Sequence, residues 1–287
     1  TYAGNPENLR DIENDTRYEF IKGDICDEEL VCKIFSENEV DSVINFAAET
    51  HVDRSIQDPN IFIKTNVLGT GVLLNVSKKT WGENFAEKKF LQVSTDEVYG
   101  TLPEDDKTVK FTEKTSLQPH SPYSASKTSA DCIVQSYYDT YKFPTLITRC
   151  SNNYGRYQFP EKLIPLIINN ALNDKDLPIY GDGKQIRDWL HVEDHCDAIW
   201  TVLNKGQIGE VYNIGGNNEI KNIEIVKQIL DHLNKPHSLI TYVTDRLGHD
   251  RRYAIDATKI KNDLGWEPKY RFEDKIKDTI DWYKNNG

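Results

Sequence analysis

Short apolar stretches that resemble buried strands alternate with stretches of helical pattern through the first half of this chain. The strand-like runs lie at 41–48, 90–95 and 144–150, and helical patterns lie between them at 61–79 and 123–141. Strands and helices that alternate at this spacing form βαβ units, whose strands are parallel and whose crossovers are right-handed. The chain is therefore predicted to be an α/β protein built on a parallel sheet.

The segment before these runs is also predicted to contain a strand and a helix. Residues 18–24 alternate between apolar and polar side chains, which is typical of a strand. Asp27 precedes two acidic residues and is expected to cap a helix that extends to about Asn38. The sequence contains no methionine, and no strand or helix is predicted before residue 18. We therefore expect the sequence to lack its natural start.

The pattern becomes less regular after residue 155, which indicates a second, smaller lobe. Helical patterns at 161–172 and 193–204 flank the short strand-like run 177–180. A further helix begins near Asn222, whose side chain is expected to be its N-cap.

The charge and composition of the chain exclude several classes of function. Lys and Arg number 35 against 46 Asp and Glu, for a net charge of −11, and the basic residues do not cluster, so no nucleic-acid interface is expected. No apolar stretch approaches the about 18 residues of a membrane span, and no signal peptide is recognisable, so a cytoplasmic protein is predicted. The five cysteines lack the spacing of metal ligands, so no metal site is predicted.

Ionisable side chains collect where the second strand-like run ends. Thr95, Asp96 and Glu97 follow that run, and α/β sheets bind their ligands at the carboxyl ends of parallel strands. Tyr123 and Lys127 stand four residues apart in a predicted helix, so their side chains share one face. Such pairs also occur by chance on solvated helices. Because a nearby ammonium lowers the pKa of a tyrosine from about 10, we expect Tyr123 to remove a proton from a sugar hydroxyl.

Asp96 and Glu97 are open to two interpretations. Adjacent acids are often only solvated, and neighbouring strand residues point to opposite faces. A strand end that turns can aim both into one cleft, where mutual repulsion lets one carboxyl keep its proton near neutral pH. Elimination of water needs one such acid and one base, and Thr95 would then orient a substrate hydroxyl.

Residues near two other predicted strand ends have both a structural and a functional interpretation. Asp24 either caps a turn or lies at the edge of an adenine. Ala47, Ala48 and Thr50 either form a tight turn or line a dinucleotide.

Basic side chains in the second lobe are candidates for a phosphate clamp: Lys162, Arg187, Arg246 and His249. Arg187 follows an apolar residue and precedes Trp189, and burial there would require a partner such as a phosphate. Most single arginines are surface charges, and Arg251 and Arg252 are interpreted as a plain solvated pair.

Five motifs carry a resemblance to a known family. Tyr123-Ser-Ala-Ser-Lys127 matches the Tyr-x-x-x-Lys of the extended short-chain dehydrogenase/reductase superfamily, to which the chain is similar along its whole length. Within that superfamily it resembles the dTDP-glucose 4,6-dehydratases through Ser94-Thr-Asp-Glu-Val-Tyr-Gly100, because related epimerases and decarboxylases lack the Asp-Glu pair. Three other segments match the dehydratase pattern, with Leu247 in place of a frequent proline: Arg149–Gly155, Arg187–Asp194 and Asp245–Tyr253.

The resemblance implies a doubly wound, Rossmann-type parallel sheet with a smaller α/β substrate lobe. Residues 1–155 and 193–221 would form the NAD-binding domain, and residues 156–192 and 222–287 the nucleotide-sugar lobe. The family's first strand and Gly-rich pyrophosphate turn do not occur in this sequence. We expect that segment to be missing from the sequence; the alternative is a chain that holds NAD poorly.

The resemblance also implies site residues and partners. The catalytic positions are Thr95, Asp96, Glu97, Tyr123 and Lys127. The NAD-binding positions are Thr1, Asp24, Ile25, Phe46, Ala47, Ala48, Thr65, Tyr123, Lys127 and Asn153. The nucleotide-sugar positions are Thr50, Thr95, Asn152, Lys162, Leu163, Pro178, Ile179, Tyr180, Arg187, Asn222, Arg246 and His249. Relatives pair through long helices, so a homodimer is implied.

The implied reaction is the dehydration of dTDP-glucose to the 4-keto-6-deoxy sugar nucleotide. Tyr123 takes the C4 hydroxyl proton as hydride moves to NAD, Glu97 removes the C5 proton, Asp96 protonates the departing C6 hydroxyl, and hydride returns to C6. One alternative is a UDP-sugar 4-epimerase or decarboxylase, which needs no acid to expel a hydroxyl. The other is a non-catalytic nucleotide-sugar-binding protein.

Overall fold

The structure of the protein, a computed structural model, describes residues 2–286, so the NAD position predicted at Thr1 lies outside the described residues. Its strands are β1 (Ser42–Asn45), β2 (Lys89–Thr95), β3 (Thr145–Cys150), β4 (Asn152–Tyr154), β5 (Leu177–Tyr180), β6 (Ile186–His191), β7 (Val211–Ile214), β8 (Glu219–Lys221) and β9 (Ile240–Val243). Its α-helices are α1 (Glu28–Glu37), α2 (Val52–Gln57), α3 (Pro59–Phe62), α4 (Thr70–Trp81), α5 (Pro122–Tyr141), α6 (Leu163–Leu172), α7 (Val192–Lys205), α8 (Asn222–Leu233), α9 (Thr258–Leu264) and α10 (Phe272–Asn286). Across residues 2–286, no helix combines the length and the apolar character needed to cross a membrane.

Parallel strands form the central sheet in the order β1-β2-β3-β7. Successive residues of β2 pack on opposite faces of this sheet. Phe90 lies in a core with Leu74 of α4 and Val134 of α5, whereas Leu91 lies in a core with Val202 of α7. Helices on both faces are what a buried parallel sheet requires. The predicted α/β fold with a parallel central sheet is confirmed.

Two smaller sheets lie outside the central one. β6 pairs with β4 in parallel and with β8 in antiparallel orientation, while β5 pairs with β9 in parallel. The helices α6, α8 and α10 supply a third apolar core, which contains the buried side chains of Ile167, Ile229 and Ile276. Side chains from these elements reach the carboxyl edge of the central sheet, as described below.

The strand predicted at residues 18–24 is wrong. A strand needs a neighbour with which to exchange backbone hydrogen bonds. β1 pairs with β2 along one edge, and among the described residues no strand pairs with its other edge. Phe20 is accordingly 61% exposed. The next prediction holds, because Asp27 accepts a hydrogen bond from the backbone N–H of Leu30 at 3.0 Å and α1 begins behind it.

The interpretation of Arg251 and Arg252 as a solvated pair is also wrong. Arg252 is fully buried, and its Nε and Nη2 donate to the Glu219 carboxylate at 2.7 and 3.1 Å. Its Nη1 donates to the carbonyl of Asp106 at 2.9 Å. Arg251 donates to Glu104 at 2.7 Å. A guanidinium is stable in the interior only when its donors are satisfied in this way, so these arginines hold loops together.

Candidate active site

A cavity of about 650 Å³ lies at the carboxyl ends of β2 and β3, where β5 and the start of α8 also border it. A volume of this order is typical of small-molecule sites in proteins. Its place at the edge of a parallel sheet is the one expected for a ligand site in an α/β fold.

Most of the predicted site residues line this cavity. Every position predicted for the nucleotide sugar does so: Thr50, Thr95, Asn152, Lys162, Leu163, Pro178, Ile179, Tyr180, Arg187, Asn222, Arg246 and His249. Among the other predicted positions, the lining residues are Phe46, Ala48, Glu97, Tyr123, Lys127 and Asn153. The chain thus brings together side chains that are more than 200 residues apart in sequence.

Five predicted positions do not line the cavity: Asp24, Ile25, Ala47, Thr65 and Asp96. The structural interpretation of Asp24 holds, because its carboxylate accepts a hydrogen bond from the backbone N–H of Cys26 at 2.9 Å. The same carboxylate lies 3.7 Å from the ammonium of Lys64. The predicted roles of Asp24, Ile25, Ala47 and Thr65 in NAD binding stay predictions, as does the predicted catalytic role of Asp96.

The start of α5 is fixed by its own sequence. Ser121 is the N-cap, and its hydroxyl accepts from the backbone N–H of Ser124 at 3.1 Å. The Ser124 hydroxyl in turn accepts from the backbone N–H of Ser121 at 3.0 Å, which completes a capping box. Pro122 occupies the first turn, where its missing N–H costs nothing. This rigid start holds Tyr123 and Lys127 in place, one turn apart and facing the cavity.

The expectation that an ammonium lowers the pKa of Tyr123 is wrong for this structure. Burial raises the pKa of Tyr123 well above 10, the negative charge of Glu97 raises it further, and a hydrogen bond with Thr95 opposes the change only in part. The Lys127 ammonium donates to the carbonyl of Val93 at 2.7 Å. Burial also lowers the pKa of Lys127. Tyr123 therefore holds its proton in this structure.

The end of β2 separates the two acids that follow it. A 3-10 turn covers Asp96–Tyr99, and Thr95 Oγ1 accepts from the backbone N–H of Glu97 at 3.3 Å. Glu97 lines the cavity, whereas Asp96 is 1% exposed and lies behind it. The Thr95 hydroxyl donates to Asp96 Oδ1 at 3.4 Å. Asp96 Oδ2 is buried without a hydrogen-bond partner within residues 2–286.

The surroundings of Asp96 and Glu97 favour different protonation states. Burial raises the pKa of Asp96 well above its usual range, and the carboxylates of Glu97 and Asp188 raise it further. Burial also raises the pKa of Glu97, but the cations of Arg187 and Lys162 oppose that rise. The pKa of Asp96 is therefore raised more strongly than that of Glu97, so Asp96 keeps its proton more readily and the pair can serve as one acid and one base.

Two cations of the predicted phosphate clamp are tied to the segment that follows β1. The Lys162 ammonium donates to the carbonyl and the hydroxyl of Thr50 at 3.0 and 3.2 Å. Arg246 donates through Nε and Nη2 to Asp53 at 2.5 and 2.8 Å. The hydroxyl of Tyr180 donates to the same carboxylate at 3.1 Å. These bonds bridge one side of the cavity to the other.

Arg187 is a buried cation of the clamp. It is 7% exposed, and its Nη1 and Nη2 donate to the carbonyls of Ile186 and Asp250 at 2.8 and 2.9 Å. Its guanidinium lies 4.0 Å from the centre of the Tyr253 ring. Within the described part of the chain, no carboxylate lies within 4.0 Å of it. A buried guanidinium without a counter-ion favours an anionic ligand such as a phosphate.

Asn222 is not the N-cap that the sequence predicts. It is the first residue of α8, and Lys221 occupies the cap position. Its side-chain Oδ1 is buried and has no hydrogen-bond partner among residues 2–286. Since Asn222 lines the cavity, that oxygen is available to a ligand donor.

Sequence reasoning missed several lining residues that contact the predicted ones, among them Asp53, Asp250 and Tyr253. Asp53 pairs with Arg246 across 193 positions of sequence. No local pattern marks such a pair. Asp250 and Tyr253 lie in the same motif segment as Arg246, and that proximity was the only available signal.

The comparisons with known proteins agree with this geometry. Residues 1–279 match the family model described as GDP-mannose 4,6 dehydratase. The chain is 55% identical over 299 aligned residues to a dTDP-glucose 4,6-dehydratase of Xanthomonas campestris pv. campestris, with 100% of this chain and 84% of that protein covered.

Solved structures are similar over the same extent. A dTDP-glucose 4,6-dehydratase from Bacillus anthracis, determined in complex with NAD, has a TM-score of 0.89 and 53% identity, covering 100% of this chain and 86% of that one. A dTDP-glucose 4,6-dehydratase from Streptomyces venezuelae, determined with NAD and a second ligand bound, has a TM-score of 0.93 and 44% identity, with 100% and 85% covered.

Proposed function

This chain belongs to the GDP-mannose 4,6-dehydratase family, and from that membership we propose that it is an NAD-dependent hydro-lyase that converts dTDP-glucose to the 4-keto-6-deoxy sugar nucleotide. The observation that carries the proposal is the pair formed by Asp96 and Glu97. The pKa of Asp96 is raised more strongly than that of Glu97, whose rise nearby cations oppose, and Glu97 and Tyr123 both line the cavity.

The residues of the cavity fit a bound NAD. Phe46 and Ala48 offer apolar surface after β1, and Asn153 offers an amide after β3. Within residues 2–286, the buried hydroxyl oxygens of Ser94 and Ser151 have no hydrogen-bond partner, and both residues line the cavity. We propose that NAD is held by these groups and by the other positions that the family resemblance implies.

Tyr123 is the proposed base of the first step. NAD, when bound in its oxidised form, brings a positive charge into the cavity and supplies the oxidation of C4 and the later reduction of C6. A positive charge in the cavity would lower the raised pKa of Tyr123. Tyr123 then accepts the proton of the C4 hydroxyl, while Thr95 orients that hydroxyl.

Glu97 and Asp96 are the proposed base and acid of the elimination. Once C4 is a ketone, the C5 proton is acidic, and the Glu97 carboxylate removes it. Asp96 gives its proton to the C6 hydroxyl, which leaves as water. The Glu97 carboxyl then returns a proton to C5 when C6 is reduced. Over this sequence Tyr123 gains one proton and Asp96 loses one, so the enzyme is restored by exchange of one proton with solvent.

The cations of the clamp are proposed to hold the nucleotide diphosphate. Arg187 has no carboxylate partner within 4.0 Å among the described residues. Lys162 and Arg246 add two more cations to the lining of the cavity. Because these groups oppose the rise in the pKa of Glu97, the same charges that would bind phosphate also favour the ionised base.

The domain division, the assembly and the location belong to the same proposal. Residues 1–155 and 193–221 would bind NAD, and residues 156–192 and 222–287 the nucleotide sugar. A homodimer is supported by the side chains of Ile63 and Leu68, which are 55% and 56% exposed on a π-helical segment, Ile63–Gly69, that packs against α5. A cytoplasmic location is supported by the five free cysteines, because secreted proteins usually pair theirs.

The test is the identity of the product. With NAD and dTDP-glucose, we expect the protein to form the 4-keto-6-deoxy sugar nucleotide, detected by proton NMR as a methyl group at C6. Formation of dTDP-galactose would instead support a 4-epimerase. Binding without turnover would support a non-catalytic nucleotide-sugar-binding protein. Both alternatives are less favoured, because neither uses a paired acid and base to expel a hydroxyl.

A further inference from the structure

A continuous set of hydrogen bonds leads from the wall of the cavity to the surface. The Tyr253 hydroxyl donates to Asp250 Oδ2 at 2.7 Å. The other oxygen of the same carboxylate, Oδ1, lies 2.5 Å from Nδ1 of His120. Tyr253 is 3% exposed and lines the cavity, whereas the His120 side chain is 44% exposed. The buried Asp250 carboxylate thus contacts the cavity-lining Tyr253 through Oδ2 and the partly exposed His120 through Oδ1.

The middle of this set is held rigidly. The carbonyl of Asp250 accepts from Arg187 Nη2 at 2.9 Å, and the Arg187 guanidinium lies over the Tyr253 ring. Gly248 has a φ of +63°, and a Cβ at that position would lie 2.8 Å from the carbonyl oxygen of His120. Only glycine allows the loop to approach His120 so closely. The fold therefore fixes both partners of this contact. Arg187 holds Asp250, and Gly248 lets the loop lie against His120.

The inner end of the set faces the base of the proposed elimination. Tyr253 and Glu97 both line the cavity, and the charge of Glu97 is the largest influence after burial on the raised pKa of Tyr253. The Tyr253 hydroxyl uses its hydrogen toward Asp250, so its oxygen remains free to accept from a carboxylic acid, directly or through one water.

We propose that Tyr253, Asp250 and His120 form a proton relay that connects the carboxyl of Glu97 with water at the surface. This inference rests on the proposed function, and it assigns to His120 a role that no motif indicates. The relay lets the proton taken from C5 exchange with solvent while a bound sugar fills the cavity.

The passage of a proton is balanced along the relay. In the starting arrangement one proton is shared between Asp250 Oδ1 and His120 Nδ1, and His120 Nε2 carries a second hydrogen. Protonated Glu97 gives its proton toward the Tyr253 oxygen as Tyr253 gives its own to Asp250 Oδ2. The shared proton then moves onto His120, and Nε2 of the imidazolium releases a proton to water. The reverse passage, which returns a proton to Glu97 for delivery to C5, restores the starting arrangement.

The test uses the whole chain with NAD and dTDP-glucose in heavy water, and measures deuterium at C5 of the product. We expect the wild-type protein to introduce deuterium at C5, and the His120→Gln variant to introduce about tenfold less. His232→Gln is the matched control, because His232 also pairs with an aspartate, at 2.8 Å from Asp281, but Asp281 does not line the cavity, whereas Asp250 does. It should behave as the wild type.

Further variants keep the test decisive if His120→Gln is poorly folded. Asp250→Asn should lower the deuterium at C5 in the same way, and added imidazole should restore it in His120→Ala. Deuterium at C5 that is equal in the wild type, His120→Gln and Asp250→Asn would overturn the relay, as would its absence from the wild-type product. Failure of the wild type to form any product would instead refute the proposed function.

Discussion

Replacement of Glu97 by Gln is expected to slow the elimination of water by about 10²–10⁴-fold while C4 oxidation continues. Glutamine has nearly the same shape as glutamate, but it cannot accept the C5 proton. Glu97 is the acid that lines the cavity, and nearby cations favour its ionised form. Under single-turnover conditions, the near-ultraviolet absorbance of reduced NAD should therefore rise on addition of dTDP-glucose and persist, whereas it should be transient or undetectable in the wild type.

Two further variants serve as a second test of the elimination step and as a control for Glu97→Gln. Asp96→Asn removes the proton donor to the C6 hydroxyl, so it should also accumulate reduced cofactor. Glu83→Gln changes an exposed glutamate in a surface loop and should behave as the wild type. If Glu97→Gln and Asp96→Asn both kept wild-type turnover, the assignment of base and acid would be wrong.

Replacement of Tyr123 by Phe is expected to block the cycle one step earlier, with a loss of turnover of about 10²–10⁴-fold. Without the phenol oxygen, the C4 hydroxyl has no base, so no absorbance of reduced cofactor should appear. The Michaelis constant for dTDP-glucose should change little, since the cations that hold the diphosphate are retained. Tyr141→Phe, at the exposed end of the same helix, is the control and should leave turnover unchanged.

The double variant Glu97→Gln/Tyr123→Phe separates the two steps. Because oxidation precedes elimination, the double variant should resemble Tyr123→Phe and should not accumulate reduced cofactor. Accumulation in Tyr123→Phe alone would mean that another group removes the C4 proton.

The sequence predicts those parts of the site that depend on local structure. The position of Tyr123 and Lys127 follows from a helix whose start is determined by its own serines and proline. The position of Thr95 follows from a short apolar strand and the turn behind it. Patterns of this kind involve neighbours within a few residues, so they can be found without knowledge of the fold.

Properties that depend on distant partners could not be predicted in the same way. Arg252 was expected in solvent, but its partner Glu219 lies 33 positions away and the pair is buried by the fold. The pKa of Tyr123 was expected to fall, and burial raises it instead. Burial is a property of the whole packed chain, and neither a partner nor a desolvated site is visible in a short motif.

The most direct measurement of the central claim follows a deuterium label placed at C4 of dTDP-glucose. If C4 is oxidised, water is eliminated across C5 and C6, and C6 is then reduced within one cavity, the label should appear at C6 of the 4-keto-6-deoxy product. Loss of the label to solvent, or its recovery at C4 of an epimerised sugar, would contradict the account.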